Sequence, residues 1–491
     1  MENEKKGWKY YHTVWLLFFL AWMVSYTDRA LMTPVIAWMI SNKVSFFANA
    51  PNVYTLGGLI GGLFFAGYML VQLPAGILGD KHGNKVMVVT CIAWAGLATL
   101  VTGFAGSLFT FVAFRVFTGL GEGALYSNDR PIIAAATPPH KLGRGMGLAI
   151  TGISAGTAIS LFSGAATMEW AAKIWGNEIA WRVPFFLWVI PTLLVALLLY
   201  FFIKDIPPVK YAEVLQVKSN YPNAVAGLTR YAGAFFIIVM LIYFFSMSMG
   251  LPNLTIAFIE TGTAIALIAF MFVRQGDSVK EVMLNRNLWG LNITAIAICW
   301  SMWFYGFWSP SLVKEVAHTS FMVAILTALF NAGAGLIGYP LGGLISDIVV
   351  AKGWSRKPAL AGFTALHGIT VFVFWAYLVS GGKSPLVMGP LLFVSGVGFF
   401  GMQPICHAMI FEYAPQDKKG TAFGTWNLIG EIGAVLSPVV AGALRDTYGG
   451  WTQPVLLDGI IVTIALVALL IMIKRKPDGN SVPKVNRIQM S

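Results

Sequence analysis

The sequence predicts an all-α polytopic membrane protein, and three observations carry that prediction. Charged residues make up 11% of the 491 positions, less than half of the roughly 25% found in soluble domains. Mean hydropathy is +0.72. The apolar runs also exceed the roughly 9–11 residues of an outer-membrane strand and recur at helix-spanning length, so helices rather than a barrel cross the bilayer.

The first run, 13–40, continues past Val35 with no small-residue cleavage site, which marks a retained helix rather than a signal peptide. Further spans are expected at 55–79, 84–106, 107–137, 143–171 and 181–203. A basic linker, 204–230, leads to 231–251 and 254–273, joined by the tight turn Gly250-Leu-Pro-Asn253. The first of these two runs has no charged residue and the second only Glu260. A second basic linker, 274–286, precedes spans at 288–312, 319–346, 358–380, 384–411, 419–443 and 454–473. The expected architecture is therefore fourteen spans grouped six, two and six, the alternative being twelve plus a re-entrant or surface hairpin. The corresponding domains are an amino-terminal six-helix bundle (1–204), basic linkers with a central transmembrane hairpin (205–286), a carboxyl-terminal six-helix bundle (287–476) and a cytoplasmic tail (477–491).

Lys and Arg gather in alternate loops: Lys5 and Lys6, Lys81 and Lys85, Lys141 and Arg144, Lys204 and Lys210, Arg274 and Lys280, Arg356 and Lys357, Lys418 and Lys419, and Lys474 onward. The positive-inside rule then places both termini in the cytoplasm of a plasma membrane, most simply a bacterial inner membrane. This asymmetry accounts for the net charge of +12 without a nucleic-acid partner. The three Cys (Cys91, Cys299, Cys406) lie in apolar segments without metal or disulfide spacing and read as packing residues. No phosphate-binding Gly-x4-Gly-Lys-Ser/Thr loop and no catalytic side-chain set occurs, so neither an ATP-driven pump nor an enzyme is expected. No cofactor or metal is expected either, and the expected functional unit is a monomer in the lipid bilayer.

Inside the fourth span, Arg115 to Arg130 carries Arg115, Glu122, Asp129 and Arg130 in an apolar setting. On one continuous helix Arg115, Gly119, Glu122, Tyr126 and Asp129 would share a face about 80° wide. Ionisable groups at that depth face a cavity or a partner. Asp28 and Arg29 lie near the middle of the first span; they could satisfy each other, or Asp28 could pair with Arg115, but being about 100° apart they suit different neighbours, Asp28 bonding across to another helix and Arg29 addressing the cavity. Arg115 offers a planar fork suited to a carboxylate, sulfonate or phosphate. A carboxyl in an apolar site can hold a proton near neutrality, and a nearby guanidinium opposes this, so an anion engaging Arg115 would free Glu122 to take up a proton. Gly119, Gly121 and Gly123 permit close helix packing.

The two six-helix blocks echo each other. Gly76-Ile-Leu-Gly-Asp-Lys-His-Gly-Asn-Lys85 follows the second span, and Gly343-Leu-Ile-Ser-Asp347 with Arg356 and Lys357 follows the second span of the later block. Such internal repeats mark carriers in which two bundles rock around a midplane site.

These residues resemble the major facilitator superfamily: Gly76-x-x-x-Asp80-x-x-Gly83-x-Lys85 is similar to its signature loop between helices 2 and 3. The likeness covers about residues 10–204 and 287–476 and implies the major facilitator fold, with the hairpin outside its twelve-helix core. Three stretches resemble the anion:cation symporters within it. They are Tyr26-Thr-Asp28-Arg29; Arg115 with Glu122 and Asn128-Asp-Arg130; and Trp308-Ser-Pro310-Ser-Leu312, with Ser311 where that family usually has Tyr. The resemblance implies proton- or sodium-coupled uptake of an anion.

The expected function is proton-coupled symport of an organic anion, with a carboxylate, sulfonate or sugar acid as substrate and protons as the second ligand. Arg29 and Arg115 would bind the anion, with Tyr26, Tyr126, Tyr305, Trp308 and Asn427 as cavity walls. Asp28, Glu122 and Glu431 would carry or relay the proton. Asp80, Lys85, Asp129, Arg130, Asp347 and Arg356 are expected in gates at the cytoplasmic side. His367 reads as a packed histidine. The alternative is proton-driven export of amphipathic drugs or lysolipids, since a fourteen-helix layout resembles drug–proton antiporters and Gly121-Glu-Gly-Ala-Leu-Tyr126 resembles Spinster-type lysolipid transporters. A non-transporting membrane receptor is the remote third class.

Overall fold

The computed structural model describes residues 7–138, 142–205, 217–274, 277–415 and 419–474. Lys141, Lys210, Lys418 and the tail expected at 477–491 lie outside these residues. Among the described residues fourteen helices are long and apolar enough to span a bilayer. They are α1 (Tyr10–Asn42), α2 (Val53–His82), α3 (Asn84–Gly103), α4 (Leu108–Ala136), α5 (Gly145–Trp175), α6 (Asn177–Phe202), α7 (Tyr221–Ser248), α8 (Asn253–Phe270), α9 (Arg286–Ala317), α10 (Phe321–Ala351), α11 (Lys357–Val379), α12 (Pro385–Ile410), α13 (Ala422–Tyr448) and α14 (Thr452–Met472).

Two boundaries depart from the sequence expectation for local reasons. Helix α7 begins ahead of position 231, inside the expected basic linker. The Asn220 side chain caps it by accepting from the Asn223 N–H at 3.3 Å, and Pro222 sits in the first turn, where no N–H is needed. Helix α4 is two pieces, Leu108–Glu122 and Leu125–Ala136, interrupted at Gly123 and Ala124, so the face drawn from Arg115 to Asp129 is offset at its middle.

The bundles are built alike. In the first, α1 packs on α5, α2 on α4 and α3 on α6; in the second, α9 packs on α13, α10 on α12 and α11 on α14. The bundles meet along α2–α13 and α5–α10, with α1 against α9. Helix α2 approaches α13 almost backbone to backbone: a Cβ on Gly62 would lie 2.6 Å from the Val435 carbonyl oxygen. The hairpin α7–α8 flanks this seam, since both helices touch α2, α7 touches α4, and α8 also touches α13.

Loops that sequence places on one side meet in space. The Lys204 N–H donates to the Tyr10 hydroxyl (2.7 Å), the Asn220 N–H to the His82 carbonyl (2.9 Å), and Lys357 Nζ to the Ile473 carbonyl (2.7 Å). This is the terminal end. At the far end, Asp446 of α13 accepts from the Thr55 N–H (2.7 Å), the Thr55 hydroxyl (2.6 Å) and the Tyr54 N–H (3.3 Å) of α2. Beside it, Glu315 of α9 takes the Tyr54 hydroxyl (3.2 Å), Trp451 Nε1 (2.7 Å) and the Arg445 guanidinium.

Candidate functional site

Helix α1 delivers charge to the middle of the amino-terminal bundle. Trp22, Ser25 and Arg29, at i, i+3 and i+7, share the face toward α4. Glu122 Oε2 accepts from Arg29 Nη2 at 3.0 Å, from Arg29 Nε at 3.3 Å and from the Ser25 hydroxyl at 2.9 Å. Asp28, turned about 100° away, accepts from the Thr99 hydroxyl of α3 and lies 3.8 Å from Arg115 Nη1. The residue exposures are 1% for Asp28, 5% for Arg29, 1% for Arg115 and 0% for Glu122. Two cations and two carboxylates thus neutralise one another away from water, and breaking such a pair costs about 3–5 kcal/mol.

The pairing is crossed relative to the sequence. Arg115 and Glu122 lie about 10 Å apart along their helix at 1.5 Å per residue, too far to pair, so each reaches back to α1. Aromatic rings complete the enclosure. The Arg29 guanidinium lies over Tyr68 (4.3 Å) and Tyr26 (4.5 Å), and Arg115 over Phe64 (4.8 Å). Lower in the bundle, Trp22 Nε1 donates to Asp129 at 2.8 Å, and Arg130, 3.6 Å from Asp129, covers the Tyr126 ring.

A small cavity of about 30 Å³ lies between the bundles, walled by Tyr26, Ser154, Trp303 and Asn331 among others. Tyr26 stacks on Trp303 across it, with ring centroids 6.2 Å apart. Glu431 of α13 lies within electrostatic reach of Arg29 and Tyr26 and leaves Oε2 buried without a partner among the described residues. That volume admits one water, so the bundles must separate before a larger molecule can enter.

The other expected site residues fall elsewhere. Asn427 Nδ2 donates to Gln72 Oε1 across the seam at 2.9 Å. Trp308 belongs to the far end, where Nε1 donates to the Pro438 carbonyl at 2.8 Å and the ring meets Tyr54 and Trp451. Tyr305 faces into the carboxyl-terminal bundle, toward Asp458. The cavity face of α9 is Met302, Trp303 and Gly306 instead; the aromatic run there rings the helix, so sequence gave no means of choosing among its members. Asp347 and Arg356 pair at 2.8 Å, and Arg356 also holds Glu412 at 2.7 Å, inside one bundle rather than across the seam. Lys85 lies over the Tyr200 ring at 5.4 Å, and Asp80 is exposed at the terminal end.

Sequence reasoning missed Ser25 and Thr99, whose hydroxyls hold the two carboxylates, and the cavity residues Ser154 and Asn331. Isolated hydroxyls and amides in apolar helices give no signal of their own. Asp458 was also missed, because it stands early in the last span and reads as an interfacial residue.

Two repeated helical bundles closing on a central cavity, with buried charge on one side of it, form the architecture of an alternating-access carrier. The chain belongs to the Major Facilitator Superfamily, whose model matches residues 18–438 and 291–488, and within it is most like the anion:cation symporters. It is a transporter and not an enzyme. It is 24% identical over 466 residues to the "Probable sulfoacetate transporter SauU" of Cupriavidus necator, covering 92% of this chain and 91% of that one. It is also 24% identical over 484 residues to the "Hexuronate transporter" of Bacillus subtilis, covering 94% and 96%. Among solved structures, a POT family transporter in complex with 5-aminolevulinic acid matches with a TM-score of 0.70 at 15% identity, covering 94% of this chain and 95% of that one. A bacterial homolog of the human lysosomal transporter Spinster, inward-facing and occupied, matches with a TM-score of 0.65 at 15% identity, covering 94% and 97%.

Proposed function

We propose that the chain symports an organic anion (a carboxylate, sulfonate or sugar acid) with protons, by alternating access. The observation that carries this reading is the Arg29–Glu122 pair behind the Tyr26 wall of the cavity. Arg29 gives two donors to one carboxylate oxygen, and an incoming anion offers the same acceptor. An anion that takes Arg29 leaves Glu122 as a buried carboxylate short of its cation, a state whose cost a proton removes. A monoanion and one proton then enter together with no net change in buried charge, and a dianion needs a second proton or cation for the same balance. The naming of relatives as carriers of sulfoacetate, hexuronate and D-galactonate supports an anionic substrate. Charge placement supports an inner-membrane protein with the terminal end in the cytoplasm.

The test is uptake of labelled glucuronate, galactonate and sulfoacetate into proteoliposomes under an inward proton gradient. At least one should accumulate, and collapsing the gradient should abolish accumulation. Arg29→Ala should abolish anion binding. Uptake that ignores the proton gradient, or follows sodium in its place, would overturn the coupling; no accumulation of any anion would overturn the whole reading.

A further inference from the structure

Helix α9 has two working faces. Met302, Trp303 and Gly306 wall the cavity, and the Gly306 carbonyl accepts from Thr33 of α1 at 2.9 Å. About 100° round the helix, Ser301 and Tyr305 face the interior of the carboxyl-terminal bundle. There they meet His367 of α11, Ser395 of α12 and Asp458 of α14, with exposures of 1%, 2% and 0%. Ser301 Oγ lies 2.6 Å from Asp458 Oδ1 and 2.8 Å from His367 Nε2, and Ser395 Oγ lies 3.0 Å from His367 Nδ1. His367 Nε2 and Asp458 Oδ2 are 4.0 Å apart. The Tyr305 hydroxyl faces both Asp458 and Ser395. Tyr305 is the one further ionisable group acting on this pair from the packed helices, among the described residues.

A serine hydroxyl between an acid and an imidazole can point either way, which makes the chain of bonds complete in more than one protonation state. With Asp458 ionised, Ser301 donates to it, His367 Nε2–H donates to Ser301, and Nδ1 accepts from Ser395. With one proton added to Asp458, its hydroxyl donates to Ser301, Ser301 donates to Nε2, and the tautomer shifts so that Nδ1–H donates to Ser395. The one-proton form carries no net charge, which apolar surroundings favour. Ordinary packing of a lone histidine requires none of these reversible partners.

We propose that Asp458, Ser301 and His367 form a second proton-binding site, in the carboxyl-terminal bundle, on the back of the α9 wall of the transport cavity. Ser301 directly precedes the cavity residues Met302 and Trp303, so loss of the proton, which reorients every bond to Ser301, acts on that wall. The site is separate from Glu122, and its proton binding does not rest on the anion reading; only its consequence for transport does.

The test is infrared spectroscopy of substrate-free protein in lipid, following the protonated-carboxyl stretch between pH ~4 and ~10. A component should titrate in the wild type and in Glu122→Gln and vanish in Asp458→Asn. In His367→Gln, which keeps hydrogen-bonding capacity but not the titrating ring, its midpoint should move by the equivalent of at least about tenfold in proton affinity. A spectrum in which Asp458→Asn removes nothing overturns the proposal. If that variant does not fold, an unmoved midpoint in His367→Gln overturns it. Because no anion is present, failure here is distinct from failure of the symport reading.

Discussion

Asp446→Asn tests how the far end is held shut. Asp446 joins the bundles through three hydrogen bonds to Tyr54 and Thr55, two of them at 2.7 Å or less. Bonds to a charged acceptor contribute about 1.5–3 kcal/mol each. The site is only partly buried, and the asparagine retains one acceptor oxygen, so the net loss should be about 2–3 kcal/mol. At about 1.4 kcal/mol per decade, the equilibrium moves roughly 30- to 150-fold toward a form open at the far end. A form populated at about 1% would rise to tens of per cent. Spin labels at Asn52→Cys and Tyr448→Cys, both exposed at that end, would report the separation of α2 from α13 by pulsed electron resonance in nanodiscs. A second, longer-distance population should grow in Asp446→Asn. A distance distribution identical to that of the parent would refute the assignment of these contacts as the far-end closure.

Three further outcomes follow. Glu122→Gln should bind anion at least as tightly as the parent, because Arg29 loses its charged competitor, but should not accumulate it under a proton gradient; concentrative uptake by this variant would sink the coupling role. Arg115→Ala leaves Asp28 buried with Thr99 and should cost about 3–5 kcal/mol, read as a fall in melting temperature that Arg115→Ala with Asp28→Asn partly restores. Gly62→Val should prevent close approach of α2 to Val435 and destabilise the closed form by about 1–3 kcal/mol, measured by the same labels and by thermal unfolding in lipid.

The count and order of helices were legible because a bilayer imposes length and apolarity on each span independently of its neighbours. The hairpin illustrates this: 231–251 without a charge and 254–273 with Glu260 alone favoured two spans over a re-entrant or surface hairpin, and both runs form helices long and apolar enough to cross. The start of α7 was not legible, because a capping Asn220 and Pro222 extended helix into polar sequence. Among site residues, Asp28, Arg29, Arg115 and Glu122 stood out because charge is rare at such depth, whereas Ser25, Thr99, Ser154 and Asn331 could not.

By itself, then, the sequence determined a repeated helical bundle protein, favoured fourteen spans over twelve plus a hairpin, and marked the buried charges that any account of it must satisfy, since these are consequences of the bilayer as solvent. Tertiary structure alone decided which charges pair. Two groups on one helix can share a face and still stand two turns apart, so Glu122 answers to Arg29 and Arg115 to Asp28. It also decided that Trp303 rather than Tyr305 or Trp308 walls the cavity, and that Asp458 meets His367. A helix sequence fixes the angle between side chains, but what each one meets is fixed by the helices packed against it.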